Sequence, residues 1–493
     1  MVISLDAGTT GVRALAVTHD SDIVGWSYRE VTQHYPEPGW VEHDAEEIWE
    51  CVCEVLAELV PTLDGPIVAV GITNQRETVV AWDRRTAAPR HHAIVWQDRR
   101  TAGLCGELIA AGKLPLVRGR TGLGLDPYFS ATKMHWLLNH GGVAADEELA
   151  LGTIDTWLMW KLSGGSVFAT EPSNASRTLL MNLDTLQWDS ELCALFGVPM
   201  ASLPVIAPSS GRFGLTADTT ALGAGVPISG VAGDQQAALF GQACFEPGMT
   251  KNTYGTGSFL LMNVGHDRPA PVDGLLTTVG WTLGPNQPAT YAYEGSIFVT
   301  GAAIQWLRDG LGIIDDAAEI GPLAASIETT GDVYLVPAFA GLGSPWWDPY
   351  ARGTIVGITG GTGRAELARA VVESMAYQVR GVVDLMSAAA GLDLTELRVD
   401  GGASVMDLLL QLQADQLGVP VTRPRLQETT ALGAAYLAGL AEGFWSSTVE
   451  VAEAWSMDST FRPAAPRSDV DHLYTRWLKA VDASRGWALG LHQ

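Results

Sequence analysis

The first residues that could do chemistry form a short stretch near the start of the chain, Asp6-x-Gly8-Thr9-Thr10-x-x-Arg13. A tight turn of glycine and threonine exposes backbone N–H groups and hydroxyls that can hold phosphate oxygens. A carboxylate just before such a turn can hold Mg²⁺ through water, and an arginine after it adds positive charge. An ordinary hairpin with a capping aspartate leaves the same pattern, so this stretch alone leaves both interpretations open.

Two further glycine-rich turns occur in the second half of the chain. Residues 255–257 read Gly-Thr-Gly, and residues 400–402 read Asp-Gly-Gly after a short apolar strand. Glycine lets a phosphate or a flat ring approach the backbone closely. Either turn could be a plain connection when taken by itself. Together with the first stretch, the Gly-Thr-Gly turn predicts two loops that face each other across a cleft.

A carboxylate that could act as a base follows another short apolar strand. Asp234 ends the strand and begins a helix, and phosphoryl transfer needs a base close to the attacking hydroxyl. A helix N-cap aspartate looks the same in sequence, and the spacing does not separate the two. The adjacent Arg76 and Glu77 could hydrogen-bond to neighbouring polyol hydroxyls, and Trp96 could pack on the carbon chain. A surface ion pair and a core tryptophan are the plain alternatives.

These residues need elements that bring them together, and two hairpins are predicted to do so. Strands at residues 2–5 and 12–17 flank the first Gly-Thr turn, and strands at 250–253 and 259–262 flank the second. The recurrence indicates an internal duplication. The break falls near residues 241–248, where Glu-Pro-Gly forms a turn. We therefore predict an N-terminal domain that comprises residues 1–243 and a C-terminal domain that comprises residues 244–493.

The segments between and after the hairpins alternate between helical and strand patterns. Residues 44–60 have helical periodicity with Asp44 as a cap, and residues 365–385 form a long amphipathic helix. Residues 67–72 and 397–399 are typical of buried strands. This alternation predicts an α/β fold with mixed sheets.

Composition excludes several classes of function. The chain has 493 residues, of which 47% are apolar and 17% are charged, so large folded cores are expected. Its formal net charge of −25 disfavours nucleic acid as a partner. Five cysteines form no disulfide framework, which suits the reducing cytoplasm. No apolar run is long enough to span a bilayer, and the N-terminus lacks a signal peptide's apolar core.

Taken in order, these motifs resemble the FGGY family of carbohydrate kinases. The similarity covers nearly the whole chain and includes two family patterns, at residues 128–140 and 353–373. It implies the α/β actin-like (ribonuclease H-like) ATPase fold, with two duplicated domains around a catalytic cleft. It also implies ATP-dependent phosphorylation of glycerol to sn-glycerol 3-phosphate, with ATP and Mg²⁺ as cofactors. Homodimers or homotetramers are expected by the same resemblance.

The resemblance assigns roles to individual residues of this sequence. The catalytic base is Asp234, and Asp6 and Asp234 lie near the Mg²⁺. The polyol is held by Arg76, Glu77, Trp96, Tyr128, Asp234, Gln235 and Phe259. The nucleotide is held by Thr9, Thr10, Gly11, Arg13, Thr256, Gly301, Gln305, Gly402 and Met406.

Departures from the family pattern leave two questions open. Ala7 and Gly11 replace a glutamine and a serine, which should matter little because backbone donors are unaffected. Met406 stands where the family usually has an asparagine near the adenine, and a thioether cannot replace an amide's hydrogen bonds. Weaker adenine discrimination is therefore expected.

The alternatives in function are a kinase of the same family acting on a pentulose or a tetritol, and a non-catalytic nucleotide-binding module on the same fold.

Overall fold

Two large mixed sheets organise the chain, one in each half. The computed structural model describes residues 1–490. None of the helices in that range combines the length and the apolar composition that a bilayer-spanning segment needs.

The first half alternates strands and helices around a six-stranded sheet. Its strands are β1 (Val2–Ala7), β2 (Gly11–Val17), β3 (Ile23–Glu30), β4 (Glu42–His43), β5 (Ala69–Asn74), β6 (Val79–Asp83), β7 (Ala93–Ile94), β8 (Leu149–Thr153), β9 (Ala169–Thr170), β10 (Met181–Asn182), β11 (Gln187–Trp188), β12 (Val205–Ile206), β13 (Ser210–Leu215) and β14 (Pro227–Gly233). Its helices are α1 (Ala45–Leu59), α2 (Ala102–Ala110), α3 (Leu114–Thr121), α4 (Ser130–Asn139), α5 (Ile154–Leu162), α6 (Pro172–Ala175), α7 (Ser190–Phe196) and α8 (Asp234–Gly241). The large sheet has the order β13-β14-β5-β1-β2-β3, and a smaller one has the order β4-β7-β6-β8.

The second half is built on a seven-stranded sheet. Its strands are β15 (Thr250–Tyr254), β16 (Ser258–Gly265), β17 (Leu276–Trp281), β18 (Thr290–Ile297), β19 (Tyr334–Val336), β20 (Thr354–Val356), β21 (Leu397–Asp400), β22 (Val421–Pro424) and β23 (Met457–Phe461). Its helices are α9 (Gly301–Gln305), α10 (Ile320–Ala325), α11 (Arg364–Ala390), α12 (Asp407–Leu417), α13 (Thr429–Ala441), α14 (Thr448–Ala454) and α15 (Arg467–Ser484). The sheet order is β17-β18-β16-β15-β21-β22-β23.

The two large sheets repeat one topology, which confirms the predicted duplication. In the first sheet, β1 pairs antiparallel with β2 and parallel with β5, and β14 follows on the far side of β5. In the second, β15 pairs antiparallel with β16 and parallel with β21, and β22 follows on the far side of β21. A helix follows each of these last-named strands along the chain, α8 after β14 and α13 after β22. The α/β class with two duplicated units therefore agrees with the sequence prediction.

Helices α8 and α13 bring the two halves into direct backbone contact. A side chain at Gly433 would collide with the carbonyl oxygen of Ala237, and one at Gly241 would collide with that of Thr429. Helix α13 also lies against the first sheet, where Gly71 leaves room for its backbone. Glycine at the crossing thus permits a close approach that any larger residue would prevent. The division of the chain at residues 243 and 244 stays a prediction.

Local sequence signals account for most of the elements that carry the site. The side chain of Asp44 accepts a hydrogen bond from the Glu46 backbone N–H at 2.8 Å and caps α1, as expected. Helix α11 extends the predicted amphipathic helix to Arg364–Ala390. In the first hairpin, Asp6 lies opposite Arg13 across β1 and β2. Gly11 has no space for a side chain, because one would collide with Tyr28 and the Arg29 carbonyl.

Candidate active site

Asp234 lies at the junction of β14 and α8, as predicted. Gly233, not Asp234, occupies the N-cap position of the helix. The Oδ1 atom of Asp234 accepts hydrogen bonds from its neighbour, the Gln235 backbone N–H, at 2.7 Å and contacts the Nε of Arg76 at 3.2 Å. The side chain is 30% exposed, whereas the Arg76 side chain is 2% exposed. The carboxylate is therefore anchored on one oxygen and open to the cleft, which suits a base that must reach a substrate hydroxyl.

Arg76 follows β5, and each of its three guanidinium nitrogens contacts at least one protein group. Nη1 contacts Glu294 Oε2 at 2.5 Å and Gln236 Oε1 at 3.2 Å. Nη2 donates to Glu294 Oε1 at 3.0 Å and to the Tyr128 hydroxyl at 3.3 Å. Together with the contact from Nε to Asp234, these bonds hold the guanidinium plane in one orientation. Three of the predicted polyol-site residues, Arg76, Tyr128 and Asp234, thus lie within one group of contacts.

Glu77 and Arg177 extend this group into a fully buried network of charges. Glu77 has a left-handed backbone conformation, with φ of 62°, and its Oε1 accepts from the Nε of Arg177 at 2.6 Å. Arg177 also contacts Glu294 Oε1 at 3.0 Å. Although burial opposes ionisation of Glu294, the positive charges of Arg177 and Arg76 lower its pKa to about 2. Burial raises the pKa of Glu77, and the two arginines oppose that rise.

Aromatic rings from both halves form the apolar wall of the pocket. The Trp96 ring centroid is 5.6 Å from that of Tyr128 and 6.4 Å from that of Phe259, both in edge-on arrangements. Trp96 comes just after β7, Tyr128 precedes α4, and Phe259 lies on β16 of the second sheet. The indole N–H of Trp96 donates to Thr9 Oγ1 at 2.9 Å. The wall of the polyol pocket is therefore joined directly to the first Gly-Thr turn.

Gln235 is held by a lysine from the second half. Lys251 on β15 donates through its Nζ to the Gln235 side-chain oxygen, and also to Thr253 Oγ1 at 2.9 Å. Lys251 is completely buried, and burial lowers its pKa to about 8. Because the lysine occupies the oxygen, the amide N–H₂ of Gln235 is the end left to meet a substrate hydroxyl.

Asp6 is the second carboxylate at the site. It is the penultimate residue of β1, beside the first Gly-Thr turn. Burial, added to by the negative charge of Asp234 and opposed by the positive charge of Arg13, raises the pKa of Asp6 to about 7. A neighbouring pair of carboxylates is a fit for a divalent cation, because hard oxygen donors are the ligands of Mg²⁺. In residues 1–490, no cluster of three or more metal-ligating side chains is found, so further ligands would come from water or from phosphate oxygens.

The predicted nucleotide residues of the second half line a cavity of about 710 Å³. Thr256, Gly301, Gln305, Gly402 and Met406 all contribute to its wall. The remaining walls come from α9, α10 and the start of α12. The cavity is large enough for a nucleotide.

The β15–β16 hairpin connects this cavity to the polyol pocket. Its tip, at Gly255 and Thr256, lines the cavity, and Phe259 on the same hairpin packs against Trp96. The Gly301 N–H donates to the Gly255 carbonyl at 3.1 Å, and a side chain at Gly301 would crowd that oxygen. The hairpin tip therefore lies between the cavity and the group of residues around Trp96.

The sequence predicts that Arg13, after the first Gly-Thr turn, can contact a phosphate. In the structure, its guanidinium is instead paired within the protein. Arg13 forms an ion pair with Glu428, which immediately precedes α13 in the second half. Its guanidinium also lies over the Tyr28 ring, 5.6 Å from the centroid. Thr10 is exposed, and the Gly8 N–H donates to the Gly11 carbonyl at 2.9 Å, which closes the turn. A phosphate contact for Arg13, Thr9, Thr10 and Gly11 stays a prediction.

Three residues of this site were assigned no role from the sequence: Arg177, Lys251 and Glu294. Glu294 and Lys251 each interrupt a strand of the second sheet and are completely buried. A lone charge within an otherwise buried strand is the signal that could have identified both, because such charges are rare unless paired. Arg177 follows the short helix α6, and nothing in the neighbouring sequence predicts that this arginine is buried.

The fold and the site together define a class of protein. Two duplicated α/β units, a nucleotide-sized cavity and a polar pocket with a carboxylate between the units are the features of a kinase of actin-like fold. The model of the N-terminal domain of the FGGY family of carbohydrate kinases matches residues 1–241, and the model of its C-terminal domain matches residues 250–442. The chain therefore belongs to the FGGY family of carbohydrate kinases.

Individual relatives narrow the similarity. The chain is 55% identical to a glycerol kinase of Dechloromonas aromatica, over 99% of this chain and 98% of the relative. It is 54% identical to a glycerol kinase of Bordetella parapertussis, over 99% and 97%. Among solved structures, Plasmodium falciparum glycerol kinase with ADP superposes with a TM-score of 0.93 at 35% identity, covering 98% of each chain. A xylulose kinase from Brucella ovis, at 24% identity and a TM-score of 0.85, shares the fold.

Proposed function

We propose that this chain transfers the γ-phosphoryl group of ATP to glycerol and forms sn-glycerol 3-phosphate. The observation that carries the proposal is the convergence of Arg76, Tyr128, Asp234 and Gln235 with the Trp96–Phe259 wall in one pocket. Hydrogen-bonding groups and aromatic rings are thus neighbours there, since Tyr128 contacts both Arg76 and the Trp96 ring. This arrangement matches a short carbon chain that carries adjacent hydroxyls. Close similarity to proteins named glycerol kinase supports the choice of polyol.

The side chains divide the work of the reaction. Trp96 and Phe259 pack on the carbon chain and keep water away from the acceptor. The Gln235 amide donates to a hydroxyl, and the Arg76–Glu77 pair fixes which end of the polyol reaches the base. Asp234 then accepts the proton of the terminal hydroxyl as that oxygen attacks the γ-phosphorus. Most of the acceleration comes from positioning and charge stabilisation, because phosphoryl transfer requires little covalent chemistry from the protein.

We assign residues to the nucleotide and to the metal from the family resemblance and from the chemistry of the side chains. Thr256, Gly301, Gln305, Gly402 and Met406 would hold ATP, with the adenine end against Met406. Asp6 and Asp234 would hold Mg²⁺, which would supply positive charge to neutralise the phosphates and would favour the ionised form of Asp6. A phosphate would displace Glu428 from Arg13, because the phosphate carries more negative charge and the Arg13 side chain is 32% exposed.

We also propose a location, an oligomeric state and a domain boundary for this protein. We place the enzyme in the cytoplasm, where ATP is available and its five free cysteines stay reduced. A homodimer or homotetramer is proposed, and light scattering after size exclusion measures it. The domain boundary at residues 243 and 244 is proposed as well, and expression of the two parts checks it.

A panel of acceptors tests the proposed function. Purified protein is incubated with ATP, Mg²⁺ and each of glycerol, erythritol, xylulose and gluconate, and ADP release is measured. The highest kcat/KM should be for glycerol. A higher value for a pentulose or a tetritol would assign the chain to another substrate within the family. No ADP release with any acceptor would support a non-catalytic module instead.

A further inference from the structure

Glu294 is a charged residue in the second sheet that reaches into the polyol pocket of the first half. It lies on β18 and is completely buried. Its Oε2 meets Arg76 Nη1 at 2.5 Å, and its Oε1 meets both Arg76 Nη2 and Arg177 Nη2 at 3.0 Å. One carboxylate of the second half thus binds two arginines of the first half through three contacts.

A buried carboxylate between two arginines is a costly way to stabilise a fold. Removing charges from water costs several kcal/mol for each ion, and apolar residues of similar volume often give a protein that is as stable or more so. Packing alone therefore gives no reason for Glu294. The alternative is that it serves the orientation of Arg76, the member of this network that also contacts Asp234.

The contacts of Arg76 show what Glu294 prevents. Glu294 takes the end of the guanidinium formed by Nη1 and Nη2, so only Nε is directed at Asp234. Without that carboxylate, the ionised group already nearest to Arg76 is Asp234, since Glu77 is 4.0 Å away and is paired with Arg177. A two-pronged pairing of Arg76 with Asp234 would then be the preferred geometry. It would cover the carboxylate and remove Arg76 from the polyol.

We propose that Glu294 is a positioning residue for substrate recognition, which holds Arg76 in the orientation that reads the polyol and leaves Asp234 open. The proposal rests on the proposed function. It also means that polyol recognition is complete only when β18 of the second half is seated against the first half. Glu294 itself touches no substrate in this scheme and acts through Arg76.

The test compares Glu294→Gln with a matched buried carboxylate. Glutamine keeps the size of the side chain and removes the charge that holds both arginines. Glu373 on α11 is a suitable control because it is also buried in the second half and paired with an arginine, Arg369 Nε, at 2.8 Å. Glu373→Gln should leave both Michaelis constants near those of the wild type, although its melting temperature falls.

For Glu294→Gln, kcat/KM for glycerol should fall about 10- to 100-fold, the range for a lost charge-assisted hydrogen bond. The KM for ATP should stay within about twofold of the wild-type value, because a twofold change is smaller than the effect of losing a single contact. A double-mutant cycle with Arg76→Ala isolates the route. If Glu294 acts through Arg76, the double variant should be no worse for glycerol than Arg76→Ala alone.

Three results would overturn the proposal. Multiplicative losses in the double variant would mean that Glu294 acts independently of Arg76. Equal losses for glycerol and ATP would indicate a general structural role. If Glu294→Gln does not fold, Glu294→Asp replaces it in the test. Aspartate keeps the charge but is shorter by one methylene. An unchanged KM for glycerol in Glu294→Asp would also contradict the proposal. Failure of the proposed function is seen separately, as wild-type protein that does not phosphorylate glycerol.

Discussion

Replacement of Asp234 by asparagine separates its two possible roles, base and helix-terminal residue. Asparagine keeps an oxygen that can accept hydrogen bonds from the Gln235 N–H and from Arg76 Nε. In the wild-type structure these groups are 2.7 Å and 3.2 Å from Asp234 Oδ1. It cannot accept a proton from a hydroxyl at neutral pH. The variant therefore preserves the local structure and removes only the charge and the basicity.

The expected losses differ strongly between rate and stability. A positioned base contributes about 10²–10⁴-fold to turnover, so kcat of Asp234→Asn should fall by that factor. Stability should change little, by under about 1 kcal/mol, because the side chain is partly exposed and such ion pairs are weak. Arg76 is also still neutralised by Glu294, through two contacts at 2.5 and 3.0 Å.

A coupled assay for ADP measures the turnover, and thermal unfolding measures the stability. Asp44→Asn is the matched control, because Asp44 caps α1 through the Glu46 N–H and lies outside the proposed polyol and nucleotide sites. Asparagine caps a helix about as well as aspartate, so the control should retain full activity. If Asp234→Asn turns over as fast as Asp44→Asn, the base assignment is wrong and Asp234 is merely a helix-terminal residue.

Three further variants test other parts of the account. Arg76→Ala should raise the KM for the polyol and leave that for ATP unchanged; a selective loss of ATP binding would contradict the assignment. Met406→Asn should favour ATP over GTP by about 0.5–1.5 kcal/mol, the worth of a restored hydrogen bond, and unchanged constants for both nucleotides would refute this. Burial lowers the pKa of His43 to about 4 from 6.5, so the unfolded chain binds the proton first as the pH falls. As the pH falls from 7 to 5, protonation of His43 in the unfolded chain should lower the free energy of unfolding by about 2 kcal/mol. In His43→Gln, the free energy measured by urea unfolding should not show this decrease.

The sequence was sufficient for the elements with local signals. Both hairpins, the helix capped by Asp44 and the strand-to-helix position of Asp234 follow from turn residues, caps and apolar periodicity, and all are observed. The roles of individual site residues came from the family resemblance. They could not come from spacing, because turns and caps of the same composition are common.

The contacts between the halves could not be predicted in this way. Glu294 binds Arg76, which is 218 positions away in sequence, and nothing local specifies such a partner. Lys251 binds Gln235, which is only 16 positions away but belongs to the first half. The pairing of Arg13 with Glu428 is another contact of this kind. Each depends on the relative placement of two sheets, which is decided by packing such as the glycine crossing of α8 and α13.

Direct identification of the product tests the central claim most directly. Protein, ATP, Mg²⁺ and glycerol are incubated, and the reaction is followed by ³¹P NMR. We predict ADP and one phosphomonoester whose signal is a triplet, as for phosphate on a terminal CH₂OH, and which a dehydrogenase specific for sn-glycerol 3-phosphate consumes. A doublet from the central carbon, inorganic phosphate as the only product, or an ester that the dehydrogenase leaves untouched would contradict the account.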